Sequence, residues 1–153
     1  MPTFDQNYSA RWRIFDAVAT ALETAPELQG VPVKRNPTSA IALKKGEYTL
    51  VMRWNADILL DRVGIDDQRQ FRLQVGSIAC TDESDRDADA MHQVAGDVLR
   101  GLMPTLNALT GVKELNIREQ EVTPDLENIL VEGALVLSVY EVSYRQRTFA
   151  LQR

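Results

Sequence analysis

The sequence predicts an α+β fold: a mixed, mostly antiparallel sheet with two helices packed on one face. Three observations predict it. Two stretches carry apolar residues at helical spacing, and several others alternate apolar with polar residues. The order is helix, several strands, helix, two strands. The 153 residues are read as one domain, 1–153, because a chain of this size buries roughly 68–70% of the surface its unfolded form exposes.

The first helix is expected over about Ser9 to Thr24. Ser9 is a good N-cap, since its hydroxyl can accept from a free backbone N–H. Trp12, Phe15, Val18, Ala19 and Leu22 then share a face, and Pro26 stops the helix. Val31 to Arg35 reads as a short strand, placed at a sheet edge by Pro32, which cannot donate to a ladder. Ala40 to Leu43 reads as another short strand, followed by a turn at Lys44-Lys45-Gly46. Glu47 to Trp54 alternates: Tyr48, Leu50, Met52 and Trp54 lie on one face, Thr49, Val51 and Arg53 on the other.

Asn55 to Gln70 is long for a connection, where ~4–6 residues is usual. It mixes Ile58, Leu59, Leu60, Val63 and Ile65 with acidic and basic side chains, a texture that fits a long hairpin arm suited to docking or a partly mobile loop, and equally an excursion packed on its own domain. Strand character resumes from Phe71 to Cys80, with Phe71, Leu73, Val75 and Ala79 on one face and Arg72, Gln74 and Gly76 on the other.

Thr81 to Asp89 is polar, with carboxylates at Asp82, Glu83, Asp85, Asp87 and Asp89. Ser84 and Asp87 have the spacing of a capping box. The second helix is the clearest element: Ala88, Met91, Ala95, Val98, Leu99 and Leu102 form a stripe flanked by Val94. Pro104 ends or kinks it, a short turn of helix runs to Leu109, and Gly111 suits a C-cap. Val112 to Val122 and Ile129 to Tyr144 are the closing strands, with a turn at Thr123 to Asn128. Apolar residues on both faces of the last one predict a strand inside the sheet, covered on both sides.

Composition and motifs exclude several kinds of chemistry. The net charge is −5, from 22 acidic and 17 basic side chains, which argues against a dedicated nucleic-acid binder. Cys80 is the single cysteine, and its acidic surroundings would raise a thiol's pKa, the wrong direction for a nucleophile. His92 is the single histidine, expected at the surface or boundary of its helix, with no metal or triad spacing around it. The acidic run lacks the spacing of a calcium loop. No glycine-rich phosphate loop and no nucleophile elbow occurs. The reading therefore assigns no catalytic, cofactor-binding or metal-binding residue. No apolar run approaches the ~20 residues of a membrane-spanning helix, and folding in a cytoplasm is expected.

The order and texture of the chain resemble the tail terminator proteins of long-tailed bacteriophages, of the minor tail protein U type. The resemblance covers about Ala10 to Arg145. It rests on the helix Arg13-Ile14-Phe15-Asp16-Ala17-Val18 through Leu22, and on Phe71-Arg72-Leu73-Gln74-Val75 running into the break Thr81-Asp82-Glu83-Ser84. It continues through the helix end Val98-Leu99-Arg100-Gly101-Leu102-Met103-Pro104 and the closing strand Leu135-Val136-Leu137-Ser138-Val139-Tyr140. The stretch before Phe71 is longer than the family pattern implies.

The resemblance implies a structural virion protein rather than an enzyme. Copies would form a ring, typically a hexamer, at the head-proximal end of the tail tube. The ring would end tube polymerisation and offer a surface to the head connector or neck protein, with tail sheath as a further partner in a contractile tail. DNA would pass through the centre without specific binding, and Asp82 to Asp89 with the carboxylates at 57–67 would be candidates for the lumen. Related readings are another neck, head-closure or tail-tube protein; the reading from a different class is a small-molecule-binding α+β domain.

Overall fold

The computed structural model describes residues 8–39, 41–124 and 133–147. Helix α1 spans Ala10–Thr24, and the Ser9 hydroxyl accepts from the Trp12 N–H at 3.0 Å, the expected cap. A single 3-10 turn, Pro26–Leu28, follows. The buried side of α1 is Ala10, Ile14, Phe15, Val18, Ala19 and Leu22. The expected stripe included Trp12, but that residue is 37% exposed. Its indole stacks on Phe15, with ring centroids 6.0 Å apart. A large ring with a polar N–H sits well at such a boundary, and the fully buried positions go to side chains without polar atoms.

Five strands form one sheet: β1 Val33–Arg35, β2 Glu47–Val63, β3 Asp66–Cys80, β4 Lys113–Pro124 and β5 Ala134–Arg147, in the order β1-β2-β3-β5-β4. β1 runs parallel to β2, and the other three pairings are antiparallel. This is the α+β fold with a mixed sheet that the sequence predicts. Pro32 precedes the edge strand, where its missing donor costs nothing. Its carbonyl accepts from the Leu50 N–H at 2.9 Å and from the Thr49 hydroxyl at 3.0 Å.

The strand expected at Ala40 to Leu43 does not form: residues 41–44 carry no strand, and Ala40 lies outside the described residues. β1 already occupies that edge of β2, and the Lys44 N–H is spent on the Glu47 carboxylate at 2.6 Å, which tightens the turn. The turn expected from Thr123 also begins later, since β4 continues to Pro124. Residues 125–132, which hold the rest of that turn and the expected start of the last strand, lie outside the described residues. β5 extends to Arg147 and lies inside the sheet, between β3 and β4.

Strand register decides which side chains meet the helices. Leu50 and Met52, Phe71, Leu73 and Val75, and Tyr140, Val142 and Tyr144 join the buried side of α1 in one core. Helix α2, Ser84–Leu102, adds Met91, Ala95 and Leu99 to it, with Val94, Val98 and Leu102 half-buried alongside. Each large apolar side chain contributes about 1.5–3 kcal/mol by leaving water. Past Leu102 a 3-10 turn, Met103–Thr105, leads into the short helix α3, Leu106–Thr110. Gly111 closes it at φ +67°, its N–H donating to the Asn107 carbonyl at 2.9 Å.

The capping box expected at Ser84 and Asp87 is replaced by a different arrangement. Glu83 is the N-cap and makes no side-chain cap. The Ser84 hydroxyl accepts from the Thr81 N–H at 3.0 Å, and the Asp87 carboxylate accepts from the Thr81 hydroxyl at 2.6 Å. Both side chains reach back to Thr81, where the chain leaves β3, and so fasten the strand exit to the helix start. Among the described residues no helix is long and apolar enough to cross a membrane.

Candidate assembly surfaces

The segment from Asn55 to Gln70 is an ordered hairpin rather than a loop. β2 pairs with β3 up to Val63 opposite Asp66, and β5 supports β3 on its other side as far as Asp66 opposite Arg147. Gly64, at φ +65°, makes the two-residue turn possible. Ile58, Leu59, Leu60, Val63 and Ile65 are between 39% and 64% exposed. A large part of this chain's exposed apolar surface therefore collects at one end of the sheet, and such patches mark interaction sites.

A buried charge cluster sits at the root of this arm. The ladder skips one residue of β2 between Asn55 and Ile58, with Ala56 at φ +53°. A bulge of this kind shifts the side-chain alternation by one. Odd-numbered β2 residues before the bulge face away from the helices, but Asp57 is turned toward them. Its side chain is 4% exposed and accepts from Arg11 Nη1 at 2.7 Å, Arg69 Nε at 3.1 Å and the Tyr144 hydroxyl at 2.7 Å. Arg11 also lies over the Trp54 ring, 4.2 Å from its centroid, a cation–π contact. α1, β2, β3 and β5 are thus tied together where the arm begins. Burial pushes the Tyr144 phenol well up, and its hydrogen bond to Asp57 adds to this. Burial opposes the charge of Arg69, but the hydrogen bond and field of Asp57 outweigh it and raise its pKa.

This overturns part of the expected acidic lining. The Asp57 side chain is buried, Asp67 is 6% exposed and near Arg62, and Asp66 pairs with Arg145; Asp61 is the exposed carboxylate of the stretch. The carboxylates of Asp82, Glu83, Asp85 and Asp89 do face solvent. Asp87 is held below the usual carboxylate range by the Thr81 hydroxyl, with Arg86 adding to it. Among the described residues no group of three or more acidic, histidine or cysteine side chains could hold a metal ion.

The sheet face turned away from the helices carries a groove of about 280 Å³. Its floor is Val51, Gly76, Ile78, Leu135 and Leu137, and Pro37, Thr38, Ser39 and Ile41 form one wall, with Arg53 and Gln74 at one end. Gly76 sets its depth, because a Cβ there would lie 2.9 Å from Leu135 Cδ1. β5 is therefore less covered on this side than its two-sided apolar pattern predicts: Leu135 is buried, while Leu137 and Val139 are only half-buried.

His92 is not the surface or boundary residue expected. It is 9% exposed and bridges two strands: Nδ1 lies 2.9 Å from Ser77 Oγ, and Nε2 lies 2.5 Å from Ser138 Oγ. Ser138 donates its own proton to Glu119 at 3.0 Å. Nε2 therefore carries the imidazole proton, and Nδ1 accepts from Ser77. Ser77 and Ser138 are fully buried, and the chain Ser77–His92–Ser138–Glu119 fastens α2 onto β3 and β5 and ends at the exposed Glu119 of β4. Sequence reasoning missed it because the three partners lie on other strands. Two serines on the helix-facing side of strands were the available signal.

Burial lowers the His92 pKa below 6.5, against the opposing fields of Glu119 and Asp89. The unfolded imidazole protonates first as pH falls, so stability is expected to decline as pH drops through about 6.5. Urea denaturation between pH 5 and 8 should show this slope in the parent chain and a flatter profile in His92→Gln. Cys80 is buried, at 6% exposure.

The fold and these surfaces define an α+β domain with an apolar sheet extension at one end and an apolar groove on its uncovered face. No protein-family model and no curated protein matches the chain.

Proposed function

We propose that this chain is a structural assembly protein of the tail terminator type. Copies close into a ring, a hexamer in the form the resemblance implies, on the head-proximal end of a phage tail tube. The ring halts tube growth and joins the tube to the head connector or neck, with sheath as an additional neighbour in a contractile tail, and it resides in the virion. The reading is non-catalytic, with no cofactor or metal. DNA slides through the lumen unbound, past exposed carboxylates such as those of Asp82, Glu83, Asp85 and Asp89.

The observation that carries the reading is the sheet end that outruns its helices. The exposed side chains Ile58, Leu59, Leu60, Val63 and Ile65 stand on a hairpin braced by β5 and by the Asp57 cluster. A rigid apolar protrusion suits contact with a neighbouring subunit. The resemblance, spanning Ala10 to Arg145, supplies the kind of assembly.

Negative-stain microscopy of the purified chain, alone and mixed with tail tubes, tests this. Closed rings of uniform size, and tubes capped at one end, are the expected result. Extended tubes of this chain alone would point to a tube protein, and the absence of any ring in either sample would sink the reading. Rings that carry Asp82 to Asp89 on the outer rim would remove the lumen assignment.

A further inference from the structure

We propose that copies of this chain join head to tail, with the hairpin arm of one copy seated in the far-face groove of the next. The inference deepens the self-assembly part of the proposed function and rests on it. It starts from two apolar surfaces on one molecule that cannot meet. The arm presents Ile58, Leu59, Leu60, Val63 and Ile65; the groove presents Ile41, Val51, Ile78, Leu135 and Leu137 around the gap left by Gly76. The arm tip and the groove lie along strand β3, and the ten steps from Asp66, opposite Val63, to Gly76 span about 33 Å at ~3.3 Å per residue. Because β3 is paired on both sides over this stretch, the arm cannot fold back onto its own groove. Only another copy brings the two together.

Charge selects the same pairing. Asp61 is the exposed carboxylate of the arm, and Arg53 lines the groove with exposed Arg72 beside it on the same face. An arm lying along the groove would bring Asp61 toward these guanidinium groups. The open outer edges of β2 and β4 offer a poorer route to self-association. Both ladders are broken by bulges, and β4 carries Lys113, Glu114, Arg118, Glu119 and Glu121, features that blunt edge-to-edge pairing.

The arm and the groove are different patches, so the contact is heterologous and propagates to a ring or a filament. A complementation experiment tests it. Leu60→Asp disables the arm, and Leu137→Lys disables the groove; Thr38→Trp, on the exposed loop, plugs the groove without touching the sheet. Leu109→Asp alters an exposed leucine of α3 away from both surfaces. Circular dichroism confirms folding, and sedimentation velocity with native mass spectrometry reads the assembly.

The parent chain and Leu109→Asp are expected to assemble alike. Each arm or groove variant alone should be monomeric, with self-association weakened at least tenfold. An arm variant mixed with a groove variant should give heterodimers and nothing larger, since one competent contact remains. Rings that persist in both the arm and the groove variants would overturn the arm–groove contact and leave the ring reading standing. Heterodimers from complementing variants whose parent forms open filaments would support the contact and overturn the closed ring. A parent chain monomeric at about millimolar concentration, alone and on tail tubes, would overturn both; one that forms rings only on tubes, and keeps them in the arm and groove variants, would overturn the arm–groove contact alone.

Discussion

Replacing Asp57 with alanine is expected to cost about 3 kcal/mol of folding stability, at the lower end of the ~3–5 kcal/mol for breaking a buried ion pair. The carboxylate accepts from two guanidinium groups and a phenol, and all three donors lose their partner together. The side chains of Arg11 and Arg69 are 31% and 24% exposed, so water takes up part of the loss. Asp57→Asn should fall between, because the amide oxygen still accepts while its NH₂ faces cations. Tyr144→Phe removes one neutral donor and should cost about 1 kcal/mol. Urea denaturation with an unchanged m-value measures all three. A loss below about 1 kcal/mol for Asp57→Ala would mean that the cluster behaves as an exposed pair and does not brace the arm.

Phe71→Ala is expected to cost about 3–5 kcal/mol, the range for removing a buried phenylalanine. Phe71 is fully buried in the middle of β3, opposite Val142, and meets Tyr144 edge-on with centroids 6.0 Å apart at 72°. A loss of ~4 kcal/mol would lower the melting temperature by roughly 8–16 °C in a chain of this size. Phe71→Leu keeps most of the volume and should cost below ~1.5 kcal/mol. Tyr144 touches both Phe71 and Asp57, so the double variant Asp57→Ala with Phe71→Ala should depart from additivity. Strict additivity would show that the core and the charge cluster are energetically separate.

The periodic elements were legible in the sequence. Ser9, the apolar spacing through Leu22 and Pro26 mark α1, and the stripe from Ala88 to Leu99 marks the buried side of α2. Alternation in β2 and β3 identifies the side chains that reach the core, and Gly111 closes α3 in the left-handed conformation its position requires. These features are set by neighbours a few residues away, so a linear pattern records them. The apolar-charged texture of Asn55 to Gln70 leaves an arm and a loop open, and the pairing of β2 with β3 decides for a hairpin.

Other features depend on contacts between distant segments, and only the tertiary structure decides them. Asp57 looks like one more loop carboxylate until a single bulge turns it toward Arg11, 46 positions away, and Tyr144, 87 positions away. His92 looks like a lone boundary residue until β3 and β5 bring Ser77 and Ser138 to its two ring nitrogens. The far-face groove exists because register sets Gly76 beside Leu135 and Leu137. The sequence by itself determined the α+β class, the helices and the two-faced strands, through local periodicity. The order of the strands, the depth of the groove and the partners of each buried polar group came from long-range pairing, which fixes geometry that no local pattern encodes.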